Sequence, residues 1–127
     1  MKILIGWNIS QKNLEIINRI LGEITEINYV KHRDEIEEKI KDIDVFIGGY
    51  LPDKIILAAR KLRFIQTVTA GVDRFNFNLL KEKNIMLASA KGCNAREVAE
   101  HALALLLALA KKIHIMDREL KRNRWIP

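Results

Sequence analysis

A single cysteine, Cys93, stands among 127 residues. No internal disulfide can form, and a reducing compartment suits such a chain. Histidine is scarce as well. His32, His101 and His114 have no partners at a recognisable ligand spacing, and with Cys93 they make no metal pattern. Aromatic residues amount to only 6%, and none interleave with basic residues as a nucleic-acid platform requires. Trp7 and Trp125 are therefore expected to pack rather than to stack on bases. With two prolines and no repeat or low-complexity stretch, the chain has no long linker. Long hydrophobic runs are absent too. The longest, Ala102–Ala110, falls far short of the roughly 18–20 residues that a membrane span needs. The start, MKILIGWNIS, has one positive charge before a short apolar run and no small-residue cleavage pattern, unlike a signal peptide. The expectation is a cytoplasmic protein that meets neither membrane nor nucleic acid.

What is present is an ordinary globular composition, 49% apolar and 30% charged, at a length that suits one domain and is too short for two full ones. The net charge of +6 is uneven. Residues 111–127 hold six basic against two acidic residues, so +4 of it lies in that tail. A basic tail would suit an anionic partner. The favoured reading is a solvated helix face with cations near a helix carboxyl end, where the dipole stabilises them.

Short apolar runs alternate with segments of helical period. Ile3-Leu4-Ile5 reads as a strand. Ser10 caps a helix with Leu14, Ile16, Ile17, Ile20 and Leu21 on its apolar side, ended by Gly22. Ile24 to Val30 alternates as a strand does. Asp34 to Lys41 reads as a short helix, with Glu37 three residues after an Asp34 cap. Val45-Phe46-Ile47 is a third strand, closed by Gly48-Gly49. A helix follows Pro52, then a strand from Phe64 to Val68 and the turn Thr69-Ala70-Gly71-Val72-Asp73. A helix from Phe77 to Lys83, a strand at Ile85-Met86-Leu87 and a long helix from Asn94, continuing past residue 115, complete the order. Alternating strands and helices imply an α/β fold: a parallel sheet flanked by helices.

Ala102–Ala110 is apolar all round the helix. Such a helix must be covered on every side. The sheet would cover one side, and a second domain or another copy of the chain would cover the rest.

Three places invite a chemical reading. The turn Thr69–Asp73 follows a strand at its carboxyl end, where open parallel sheets bind ligands. Its Gly71 would let backbone approach a ligand, and consecutive N–H groups would cradle a carboxylate. The plainer reading is a tight turn that simply needs Gly71, with Asp73 capping the next helix. At Asn94–Glu97 the spacing is that of a capping box, and the helix start is a natural anion site. An Asn94 side chain held by the cap would be less available to a substrate. Glu100 and His101 are adjacent, so on a helix they point about 100° apart and form no acid–base pair. Cys93 reads as a small loop residue.

The segment from Leu62 to Trp125 resembles the D-isomer-specific 2-hydroxyacid dehydrogenase family. Four features carry the resemblance in order and spacing: Ala70-Gly71-Val72-Asp73, Asn84-Ile85-Met86-Leu87, Asn94 to His101 with Val98-Ala99-Glu100-His101, and Leu120 to Trp125. It implies a flavodoxin-like substrate-binding domain at residues 1–92. Residues 93–127 would then be an interdomain helix and the start of a cofactor domain. It also implies that backbone N–H groups of Gly71 and Val72 hold the carboxylate of a small 2-oxo or 2-hydroxy acid. Asn94 would lie at the substrate, Tyr50 and Leu51 would border the pocket, and Ala70 and Val98 would lie beside an NAD or NADP cofactor. A homodimer is the expected assembly. Family members place a Gly-x-Gly-x-x-Gly turn shortly after the position of Trp125, and their catalytic Arg, Glu and His later still. None is present here, and His101 is not that histidine. The expectation is a substrate-binding part of an oxidoreductase, inactive alone. The alternative is a short non-catalytic module that binds or dimerises through the Ala102–Ala110 helix.

Overall fold

The computed structural model describes residues 1–22 and 25–125. The chain forms two compact units, Met1–Lys91 and Gly92–Pro127. In the first, the order is β1 (Lys2–Ile5), α1 (Gln11–Leu21), β2 (Glu26–Tyr29), α2 (Ile36–Lys39), β3 (Val45–Gly48), α3 (Asp53–Ala58), β4 (Phe64–Thr67), α4 (Phe77–Glu82) and β5 (Met86–Ala88). Short 3₁₀ turns at Arg33–Glu35 and Ile40–Asp42 flank α2. All strand pairs are parallel, in the order β2-β1-β3-β4-β5. This is the flavodoxin-like order, whose ligand crevice opens at the carboxyl ends of the strands where the order reverses, between β1 and β3.

Local chemistry sets the element ends. The Ser10 side chain accepts from the Asn13 N–H (3.4 Å), and Gly22 closes α1 at φ 73°. Asn76, not Asp73, caps α4, accepting from the Leu79 N–H at 3.1 Å. The box before α2 is also shifted from the Asp34–Glu37 expectation. Glu35 Oε1 accepts from the His32 and Lys31 N–H groups at 3.1 and 3.2 Å. The strand expected over Ile24 to Val30 starts at Glu26; its Ile24 lies outside the described residues.

β1 buries Ile3, Leu4 and Ile5 in succession, as a central parallel strand with both faces covered must. Leu4, Phe46 and Ile65 join Ile36 and Ile40 from around α2, Ile55 and Ile56 from α3 and Leu80 from α4 in one core cluster. The Phe46 ring lies against two glycine backbones. A Cβ on Gly6 would come within 2.7 Å of its Cζ, and one on Gly48 would enter the ring. Gly48 is thus the last residue of β3 and is needed for close packing rather than for a turn.

The second unit holds α5 (Ala95–Ala110) and α6 (Ile113–Leu120). A helix continuous past residue 115 was expected; the chain breaks instead at Lys112, which is left-handed (φ 54°). The Lys111 N–H caps the Leu107 carbonyl at 2.9 Å and the Lys112 N–H the Leu109 carbonyl at 3.0 Å. No helix among the described residues is long and apolar enough to cross a membrane.

Candidate functional site

At the carboxyl ends of β2, β3 and β4, three loops border a cavity of about 280 Å³ lined by Arg33, Tyr50, Thr69, Gly71, Asp73, Arg74 and Phe75. The fold brings these together from three separate loops. β3 delivers Tyr50, β4 delivers Thr69 to Phe75, and the turn before α2 delivers Arg33. A wider cavity of about 640 Å³, bordered by Arg60, Lys61, Arg63 and Lys83, opens instead at the amino ends of β4 and β5. In open parallel sheets that end is not the ligand end, so the smaller cavity is the candidate.

A relay of hydroxyls shapes the turn. Thr67 is fully buried, and its Oγ1 accepts from the Thr69 N–H at 3.3 Å. The two hydroxyl oxygens are 2.9 Å apart. Thr69 Oγ1 donates its one hydrogen to the Gly71 carbonyl at 2.9 Å, so the Thr67 hydroxyl must be the donor to Thr69. The Phe75 N–H then donates to the Val72 carbonyl at 3.0 Å. The Gly71 and Val72 carbonyls are thereby tied into the protein. Among the described residues, neither the Gly71 nor the Val72 N–H donates to any acceptor. Two adjacent unused donors at the end of a central strand form a ready cradle for an anion.

Gly71 itself is not at a positive φ; among the described glycines only Gly22 and Gly92 are. A Cβ at Gly71 would meet only Asp73 Oδ2, at an ordinary 3.4 Å. The turn therefore does not require glycine for its own geometry. The absence of a side chain leaves the backbone open to an approaching group.

Tyr50 lines the cavity, with its ring edge-on to Phe75 at 5.2 Å between centroids. Leu51 does not line it. It is 1% exposed and belongs to the core cluster, where it anchors the loop that presents Tyr50. Val72 is half-buried against that cluster, and Ala70 is exposed. Arg33 and Arg74 stand out in the structure and not in the sequence. Arg33 Nη2 donates to the Tyr50 carbonyl (3.1 Å), and the Arg74 guanidinium carbon sits 4.3 Å from the centre of the Tyr50 ring.

In the second unit, Asn94 precedes α5 but makes no side-chain bond to it. The expected capping box with Glu97 does not form; at φ −121° and ψ 23° the Asn94 backbone is outside the extended region that capping residues adopt. Its carboxamide is not used up by the helix. Arg96 Nε donates to Glu100 at 2.8 Å, so Glu100 pairs along the helix rather than with His101. Val98 is 58% exposed, and Cys93 is an exposed thiol. Among the described residues no group of His, Cys, Asp and Glu side chains is placed to hold a metal.

The catalytic-domain model of the D-isomer-specific 2-hydroxyacid dehydrogenases matches residues 3–122, and the chain belongs to that family. Among its relatives, erythronate-4-phosphate dehydrogenase of Marinobacter nauticus is 32% identical over 86% of this chain and 29% of the relative. D-3-phosphoglycerate dehydrogenase of Methanocaldococcus jannaschii is 31% identical over 98% of this chain and 24% of the relative. The chain thus spans under a third of the length of these relatives. The fold matches NAD-dependent formate dehydrogenase from Staphylococcus aureus, solved with NAD, at a TM-score of 0.79, 22% identity, 99% of this chain and 43% of that one. It matches the D-lactate dehydrogenase of Aquifex aeolicus at a TM-score of 0.79, 19% identity, 100% of this chain and 39% of that one.

Proposed function

We propose that the chain is the substrate-binding part of an NAD(P)-dependent oxidoreductase that interconverts 2-oxo acids and D-2-hydroxy acids. The observation that carries this reading is the pair of undonated N–H groups at Gly71 and Val72, set by the threonine relay at the carboxyl end of β4. They would hold the substrate carboxylate. Tyr50 would wall the cavity, with Leu51 fixing its loop from the core. Residues 1–92 act as the substrate-binding domain. In residues 93–127, which begin the interdomain region, the Asn94 carboxamide would hold the substrate.

The cofactor, NAD or NADP, supplies the hydride when bound. Its pyrophosphate needs a glycine-rich turn at a helix start, and the six glycines here, at 6, 22, 48, 49, 71 and 92, form none. These residues therefore do not hold the cofactor as a whole. Ala70 and Val98 would touch it and no more. With no catalytic residue assigned within it, the 127-residue chain has no turnover, and NADH oxidation with pyruvate or hydroxypyruvate by the pure chain would overturn that.

Binding is tested separately. In a titration of the ¹⁵N-labelled chain with pyruvate at millimolar concentration, the Gly71 and Val72 amide signals should shift together and saturate. Gly71→Ala should weaken this binding while keeping folding stability within about 0.5 kcal/mol, because the new methyl group fills the cradle without straining the turn. Unmoved Gly71 and Val72 signals reject the reading.

One observation favours a second reading, a non-catalytic dimerisation module. Leu103, Leu105, Leu106, Leu107 and Leu109 are each more than half exposed. The chain would then be a dimer in solution that Leu106→Glu converts to monomer; a monomeric chain, or a dimer that survives the change, rejects it.

A further inference from the structure

We propose that Arg33 and Arg74 form a distal anion subsite, and that the substrate is a 2-hydroxy or 2-oxo acid carrying a phosphate monoester at its far end. This rests on the carboxylate cradle at Gly71 and Val72, whose Gly71 lines the same cavity.

Three observations lead there. First, both guanidiniums are held by one residue, Tyr50, on two different atoms: Arg33 on its carbonyl at 3.1 Å and Arg74 over its ring at 4.3 Å. Both line the 280 Å³ cavity with Gly71. Second, neither is paired with a carboxylate among the described residues, whereas Arg63, Arg96, Arg118, Arg122 and Arg124 all are. Third, neither anchor uses up the group. A guanidinium has five N–H donors; Arg33 uses one on the Tyr50 carbonyl, and the contact of Arg74 with the Tyr50 ring uses none in a hydrogen bond to a polar acceptor. The remaining planar forks match the oxygens of a phosphate. With Asp73 as the one carboxylate on the wall, the cavity carries one net positive charge before any ligand enters. A simple 2-oxo monocarboxylate needs only the N–H cradle and leaves both guanidiniums unanswered. A phosphate monoester, with about −1.5 to −2 charge near neutral pH, would answer both.

The test compares two probes that differ only at the far end, D-glycerate and 3-phospho-D-glycerate, with inorganic phosphate as a third. Each is titrated into the ¹⁵N-labelled 127-residue chain, following the Gly71 and Val72 amides and the Arg33 and Arg74 Nε–H signals. The phosphorylated acid should bind about tenfold tighter than glycerate or more, a difference of about 1.4 kcal/mol. In the double variant Arg33→Gln/Arg74→Gln the ratio should fall toward one. In Arg19→Gln/Arg60→Gln, which removes the same charge elsewhere on the unit, it should persist. Equal affinities in the natural chain overturn the proposal. So does a ratio that survives the first double variant, or one that the second abolishes as fully, since long-range charge would then explain it. If glycerate moves Gly71 and Val72 and phosphorylation adds nothing, the subsite fails alone. If phosphate moves the two arginines while no acid moves Gly71 or Val72, the carboxylate cradle fails and the anion subsite stands. If no probe binds, both fall.

Discussion

In Met1–Lys91 the isoleucines, leucines and Phe46 point inward, and Leu4, Ile5, Ile40, Ile56 and Ile65 are fully enclosed. In Gly92–Pro127 the arrangement is inverted. Leucines of α5 are exposed, and the buried side chain among the described residues is Glu119, ringed by Arg118, Arg122 and Arg124. Both units are rich in apolar residues, so composition does not separate them; periodicity does. The first alternates short strands with helices of one apolar face, which can close on a sheet. From Ala102 to Ala110, α5 is apolar all round and has no sheet of its own. Its Ala and Leu content favours a helix, yet 16 residues is close to the length at which an isolated helix is marginal. The first unit has a folding core and presents a cavity. The second presents a surface.

Truncation should break this symmetry most clearly at Phe46. Phe46→Ala removes a fully buried ring from the centre of the sheet and should destabilise the first unit by about 3–5 kcal/mol, read as a lowered denaturant midpoint. A loss under 1 kcal/mol would mean that the cluster around Phe46 is not the core. Gly48→Ala comes next. Its Cβ would enter the Phe46 ring, which is itself enclosed and cannot swing away, so a loss of about 1–3 kcal/mol from overpacking is expected. Phe46→Leu in the same chain should recover part of the Gly48→Ala loss. Additive losses would show that the two sites do not touch.

Which parts of this were legible follows from what each pattern encodes. Parallel pairing followed from the alternation of elements, and the α1 ends from Ser10 and Gly22, because each is a local signal. The break at Lys112 was not legible: Ile113 and Ile115 continue the apolar rhythm, and a lysine at φ 54° carries no residue-type cue. Asn94 with Glu97 had the spacing of a box and did not form one, while His32 and Glu35, less typical, did. At the site, Gly71 was singled out by its turn after a strand as well as by the family resemblance, and Tyr50 by the resemblance alone. Thr67 was visible only as a strand residue and Thr69 only as the first residue of the turn, with nothing in either to mark the hydroxyl relay between them. Arg33 and Arg74 could not be joined by spacing, since only the crossings β2-α2-β3 and β3-α3-β4 bring their loops to Tyr50.

A smaller effect separates the units by pH. In the first unit Asp42 accepts from Lys2 Nζ at 2.8 Å and pairs with Lys61 at 2.6 Å. These contacts hold its carboxyl at about 2, below the usual 3.8. A carboxyl lowered in the folded state adds stability above its ordinary value and loses it as pH falls toward the lowered one. Asp42→Asn should therefore make the fall in Tm between about pH 4 and pH 2 shallower. The pairs are exposed, so the change is modest and should shrink further in high salt. An identical slope in both chains would mean that these pairs contribute nothing in solution.

The smallest effect is the most informative about the contrast itself. Leu106 is 62% exposed on α5, so Leu106→Ala removes contacts with water and leaves no cavity. Helix propensity slightly favours the alanine. At low protein concentration the change in Tm should correspond to less than about 0.5 kcal/mol in either direction, against several kcal/mol for Phe46→Ala. If α5 is covered by a second copy, the same substitution has a second signature. The natural chain would show a Tm that rises with its own concentration, as mass action requires of an associating protein, and Leu106→Ala would flatten that dependence. A loss above 1 kcal/mol that does not vary with concentration would break the comparison, because Leu106 would then be packed within its own chain and the second unit would have a core after all.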